Sequence, residues 1–240
     1  MLIEPVAVPG EPVLLITGAS SGIGAATARR AAEAGWRLVL GARSEDRLSA
    51  LARELGEERA LAQRCDVTSF EDQEGLVAAG IDRFGAVDAV FANAGFGAKR
   101  GFLEDSVEHW HAMVDTNVLG VALTIRAVLP HLLERGRGHV LITSSVAGRR
   151  ALPGSLYSAT KWAATAMGEA LRQELRQMHD ENEIRVTLIE PGMVDTPFFE
   201  DRPSDALHDD DIARAVMYAL EQPPHVDVNE ILIRPIRQPL

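Results

Sequence analysis

Short apolar runs alternate with longer segments of helical periodicity along almost the whole chain. The segments 13–17, 37–41, 60–65, 87–92, 139–143, 185–190 and 231–233 read as strands. Between them, helices are expected over 23–34 with Gly35 as the stop, from a Ser44 N-cap to Leu55, from a Ser69 N-cap to Phe84, and then over 106–135, 157–179 and 211–221. Pro130 predicts a kink or break late in the fourth helix. Strands that are apolar throughout, rather than at alternate positions, are buried on both faces, which requires a parallel sheet covered by helices. The expected fold class is α/β: one doubly wound domain over 1–240 with a mostly parallel, seven-stranded sheet.

Composition narrows the partners. With 240 residues, 46% of them hydrophobic, the chain can bury a core without disulfides. Cys65 is the only cysteine, which suits a reducing, cytoplasmic setting. A net charge of -11 argues against nucleic acid or an anionic membrane as partner. The first twelve residues lack the basic and apolar regions of a signal peptide, and no stretch approaches the ~20 apolar residues of a membrane span. No metal site is expected.

The first strand leads into Thr17-Gly18-Ala19-Ser20-Ser21-Gly22-Ile23-Gly24, and a helix follows. Glycines at this place let the backbone approach a pyrophosphate, and free amides at the helix start favour its charge. The domain therefore reads as Rossmann-type and dinucleotide-binding. Sites for NAD usually carry an acid at the end of the second strand, to hold the ribose hydroxyls. This chain has Ala42-Arg43 there. A guanidinium pairs with a 2'-phosphate, so NADP(H) is preferred over NAD(H). Asp66, followed by Val67, ends the third strand and either accepts from an adenine amino group or caps the next helix. Asn93-Ala94-Gly95 ends the fourth strand, where such sheets bind ligands.

Tyr157 and Lys161 lie one helical turn apart. A tyrosine can donate a proton to a developing alkoxide or remove one from an alcohol, and a nearby ammonium draws its pKa down from about 10. With only two tyrosines and two lysines in the chain, the pairing is rarely accidental. Ser144 and Ser145 both end the fifth strand, where a hydroxyl can bind a substrate oxygen. Asn117, a poor helix former, stands inside a predicted helix and can bind backbone or a water.

As a set in this order, these motifs resemble the short-chain dehydrogenase/reductase family from about Val13 to Ile233. The resemblance implies a catalytic tetrad of Asn117, Ser145, Tyr157 and Lys161. Tyr157 would be the acid/base and Ser145 would orient the carbonyl. Lys161 would hold the cofactor ribose and lower the tyrosine pKa, and Asn117 would support a proton-relay water. It places the cofactor against Gly18, Ser20, Ser21, Gly22, Ile23, Gly24, Arg43, Asp66, Val67, Asn93, Ala94 and Gly95. Tyr157, Lys161, Pro191, Gly192, Val194 and Thr196 would complete that contact. The implied activity is an NADP(H)-dependent alcohol dehydrogenase or carbonyl reductase acting on a small-molecule ketone, aldehyde, secondary alcohol or hydroxy acid. The alternatives are a reductase of 3-oxoacyl groups on a carrier protein and a non-catalytic NADP-binding sensor. Phe96, Arg149, Phe198 and Phe199 are candidate pocket residues. A homotetramer or homodimer is expected to pack through the two long helices, with Ala163, Met167, Ala170 and Leu171 available for contact.

Overall fold

The computed structural model describes residues 10–179, 182–198 and 205–238. Strands β1 (Val13–Thr17), β2 (Arg37–Ala42), β3 (Ala60–Arg64), β4 (Ala89–Ala92), β5 (Arg137–Thr143), β6 (Glu183–Pro191) and β9 (Glu230–Ile233) form one sheet in the order β3-β2-β1-β4-β5-β6-β9. Every pairing in it is parallel. The seven expected strands are all present. A separate parallel pair, β7 (Val194–Asp195) with β8 (Leu207–His208), brackets the segment after β6.

Helices α1 (Gly22–Glu33), α2 (Glu45–Leu55), α3 (Phe70–Phe84), α4 (Val107–Val114), α5 (Gly120–Arg135), α6 (Leu156–Met178) and α7 (Asp209–Leu220) cover the sheet. One face buries Leu14, Ile16, Leu38, Leu40 and Phe91 under α1, α2 and α7. The other buries Val13, Leu15, Val39, Val90 and Ile142 with Val121, Val128, Leu171 and Leu175. Successive residues of one strand go to opposite faces, so a strand apolar throughout is the signature of this sandwich. Ser69 caps α3 as expected, accepting from the Asp72 amide at 3.2 Å. Ser44 stands at the N-cap of α2 without a side-chain capping bond.

The fourth helix differs from expectation. It does not break at Pro130, which lies inside α5. Proline removes one amide donor, and the helix runs on to stop at Gly136, whose φ is +67°. The irregularity lies earlier, as a π-helical turn over Asp115–Leu119 that separates α4 from α5 and contains Asn117. Taken as one run, Val107–Arg135 is long and apolar enough by length and composition to cross a membrane, contrary to the sequence expectation. Its Val121, Val128 and Leu132 are buried in the second core, so here it serves as a core helix.

Candidate active site

The strand order reverses direction between β1 and β4, and their carboxyl ends open a crevice there. The glycine turn closes one side of it. Gly18 has a φ of +66°, and a Cβ on it would stand 2.8 Å from the Ala94 Cα. A Cβ on Gly24 would collide with the Gly18 carbonyl oxygen. Both positions therefore need glycine, one for its backbone angle and one for close approach. Ser21 is the N-cap of α1 and makes no side-chain capping bond, and the first turn carries no acid. Unsatisfied amides beside a tight glycine turn suit a pyrophosphate. Asn93 braces the turn: its Nδ2 donates to the carbonyls of Thr17 at 3.2 Å and Gly18 at 3.4 Å, while its Oδ1 accepts from Thr143. Gly22 meets the later loop, since a Cβ on it would lie 3.1 Å from the Thr196 side chain.

Arg43 follows β2 and is exposed, with no hydrogen bond or ion pair among the described residues. Asp66 lies close enough to feel it. Burial raises the Asp66 pKa, but hydrogen bonds from Thr68 and the charges of Arg43 and Arg64 outweigh that and lower it overall. Its Oδ1 accepts from the Thr68 amide at 3.0 Å and hydroxyl at 2.8 Å. Asp66 thus shapes its own turn and keeps one oxygen for another donor. Val67 is buried, its carbonyl taken by Gln73 and its side chain facing Gly120.

Across the crevice, α6 carries Tyr157 and Lys161. Ser155 caps this helix by accepting from the Ser158 amide at 3.2 Å. The Lys161 Nζ lies 5.7 Å from the Tyr157 ring centroid and donates to the Thr143 carbonyl at 2.8 Å. The two serines separate cleanly. Ser144 Oγ donates to the Lys161 carbonyl at 3.0 Å and bonds the Thr165 hydroxyl at 2.7 Å, turned into the fold. Ser145 Oγ accepts from the Ala147 amide at 3.1 Å, donates to the Pro191 carbonyl at 3.2 Å and interacts with the Tyr157 phenol.

Lys161 is not among the groups that set the tyrosine pKa. Burial pushes the Tyr157 phenol up to about 12 against the Ser145 hydrogen bond, and burial pulls Lys161 down to about 8. Burial drives both shifts, and the ammonium, spent on the Thr143 carbonyl, adds nothing at the phenol to oppose it.

Asn117 is fully committed. Its Oδ1 accepts from the Phe96 amide at 3.0 Å, and its Nδ2 donates to the Phe96 carbonyl at 2.8 Å and to Thr160 Oγ1 at 3.1 Å. The side chain clamps the loop after β4 onto α6, with both of its hydrogens engaged. Phe198 stacks edge-on against Tyr157 at 5.5 Å between centroids. Phe96 lies 5.2 Å from the His109 ring. Phe199 falls outside the described residues. Arg149 lines a cavity together with Val146, Leu152 and Leu232, and is paired there: its Nε donates to both oxygens of Glu190, at 2.7 and 2.9 Å, and it also pairs with Glu230.

Residues 12–207 match the family described as short chain dehydrogenase. The chain belongs to the short-chain dehydrogenase family. Among its relatives is an uncharacterized oxidoreductase of Staphylococcus haemolyticus, 41% identical over 228 residues, which cover 93% of this chain and 97% of that one. An alcohol dehydrogenase of the archaeon Thermococcus sibiricus, solved with 5-hydroxy-NADP, superposes with a TM-score of 0.87 at 38% identity, covering 96% and 99% of the two chains. A short chain dehydrogenase/reductase of Burkholderia phymatum, solved with NAD, gives 0.84 at 28% identity over 93% and 89%. This short-chain dehydrogenase is accordingly an oxidoreductase using a nicotinamide cofactor.

Proposed function

We propose that this protein is an NADP(H)-dependent alcohol dehydrogenase or carbonyl reductase acting on small ketones, aldehydes or secondary alcohols. The observation that carries the reading is the convergence of Ser145 and Tyr157 beside Lys161 at the mouth of the crevice, opposite the glycine turn. The cofactor, when bound, supplies or accepts a hydride at its nicotinamide ring. The amides after Gly18 hold its pyrophosphate and Arg43 pairs with its 2'-phosphate. The free oxygen of Asp66 takes the adenine amino group, and the segment from Pro191 to Thr196 covers the nicotinamide.

Ser145 hydrogen-bonds the substrate carbonyl. Tyr157 donates its phenolic proton to that oxygen as negative charge develops, and removes it in the reverse direction. Lys161 exchanges the Thr143 carbonyl for the ribose hydroxyls and, close to the phenol, favours its ionised form. Asn117 is a positioning residue that acts through Phe96 and Thr160.

Assembly and location extend the reading. The helical face formed by α4, the π-turn and α6 exposes Val107, Val114, Leu119 and Trp162, which suits packing against a second copy in a homodimer or homotetramer. Of the residues expected there, Leu171 is buried in the protein's own core and is not available. Cys65 is buried, with its thiol pushed up to about 12 by burial, a form suited to a cytoplasmic protein.

The test follows NADPH oxidation against a carbonyl panel, with NADH in parallel and Tyr157→Phe as the variant. NADPH-dependent turnover that falls roughly 100- to 10,000-fold in the variant supports the reading. Tight NADPH binding with no turnover on any carbonyl would replace it with a cofactor sensor.

A further inference from the structure

Glu190 is the last residue before Pro191 on β6 and is only 1% exposed. A carboxylate so deep in a sheet is costly unless each oxygen is engaged. Both oxygens accept from Arg149 Nε, and Oε1 also lies within 3.5 Å of the Thr165 hydroxyl. These two partners belong to the elements that flank the site. Arg149 ends the 3-10 turn Val146–Gly148, which directly follows Ser145. Thr165 lies one helical turn beyond Lys161 on α6 and bonds Ser144, which in turn donates to the Lys161 carbonyl.

The turn itself packs onto this cluster. A Cβ on Gly148 would stand 2.5 Å from Ser144 Oγ, 2.7 Å from the Lys161 carbonyl oxygen and 2.8 Å from Thr165 Oγ1. The carboxylate therefore ties together the strand before Pro191, the serine turn and the lysine turn of α6. Its pKa is raised by burial, an effect that Arg149 opposes.

We infer that Glu190 is a positioning residue for the proposed hydride transfer: through Arg149 and Thr165 it fixes the turn that holds Ser145 against Tyr157. The inference rests on the reading of those two hydroxyls as the groups that face substrate. A purely structural anchor would lower stability without depending on Ser145. A positioning residue must act through it.

The experiment combines Glu190→Gln, Ser145→Ala and the double variant with amide hydrogen exchange on the ligand-free protein. In Glu190→Gln, exchange at Ala147 and Gly148 accelerates at least about tenfold while exchange in α1 is unchanged. NADPH binding stays within about threefold, and kcat falls roughly 10- to 100-fold. In the Ser145→Ala background the same change costs less than about threefold. An unchanged serine-turn exchange, or an equal loss of kcat in both backgrounds, overturns the inference. Should Glu190→Gln fail to fold, Glu190→Asp keeps the charge but shortens its reach to Arg149, and is expected to give the same pattern at smaller amplitude. A wild type inactive on every carbonyl would defeat the functional reading, while the exchange measurement would still decide whether Glu190 holds the turn.

Discussion

The ammonium of Lys161 and the carbonyl of Thr143 are joined by a 2.8 Å hydrogen bond at the carboxyl end of β5. This bond keeps a charged nitrogen in a place that water does not reach, and it is imperfect compensation. Burial holds the Lys161 pKa at about 8, below its ordinary 10.5. Between those values the unfolded chain binds more protons than the folded one, so this group's contribution to stability rises with pH from 8 to 10.5. Wild-type protein should therefore gain on Lys161→Met by about 3 kcal/mol across that window. At pH 7 Lys161→Met should be the more stable of the two and without turnover. Urea unfolding of both proteins at several pH values measures the difference; a constant gap would sink the expectation.

Tyr157 shows the opposite shift, up to about 12. Only Tyr218 shares its absorbance, so Tyr218→Phe leaves Tyr157 as the single reporter. In that variant phenolate absorbance should be absent at pH 10 without ligand. Saturating NADP should bring it to lower pH, because a positive nicotinamide ring nearby favours the ionised phenol. Absorbance already present near pH 10 without ligand would contradict the burial argument.

Arg43 is exposed and makes no hydrogen bond or ion pair among the described residues, only a through-space attraction to Asp66, so replacing it leaves no hydrogen-bond partner unsatisfied. Charge-assisted hydrogen bonds to a phosphate contribute about 1.5–3 kcal/mol. Arg43→Asp should weaken NADPH binding roughly 10- to 150-fold and leave NADH binding equal or tighter. Fluorescence titration with both nucleotides measures the ratio. An unchanged ratio would remove Arg43 from the cofactor site.

His139 carries an acid-sensitive defect. Thr187 Oγ1 donates its only proton to the Val228 carbonyl at 2.6 Å, so at 2.7 Å it must accept from His139 Nε2. That fixes the neutral tautomer and leaves Nδ1 buried without a partner. Burial, helped by the charge of Arg185, holds the His139 pKa well below 6.5. The unfolded state takes up a proton that the folded state refuses, so stability is whole above pH 6.5 and declines as pH falls below it. His139→Leu should flatten that decline in thermal melts between pH 7 and 5. An equally steep decline in the variant would assign it to other groups.

Much of this was legible because the signals are local. The glycine turn, the Tyr157–Lys161 spacing and the fully apolar strands are set by neighbours a few positions apart. What escaped is long-range or geometric. Glu190 reads as one more strand residue, and its arginine lies 41 positions away. Ser144 and Ser145 are chemically alike in sequence, and only the direction of each side chain, toward Thr165 or toward Tyr157, separates them. Pro130 is a stronger helix breaker on paper than Asn117, yet one missing amide is absorbed near a helix end, whereas a fully bonded asparagine side chain reshapes the turn around it.

That turn sets a limit on how the chain can shorten. A π-turn amounts to one residue more than an α-helix needs. Losing a single codon between Asp115 and Leu119 would join α4 and α5 into an uninterrupted helix with better backbone bonding. Because the wide turn absorbs the extra residue, α4 and α5 would keep nearly their present faces, but the asparagine would leave its place and Phe96 would lose its clamp. The irregular turn is thus the cost of setting one side chain between the loop after β4 and α6.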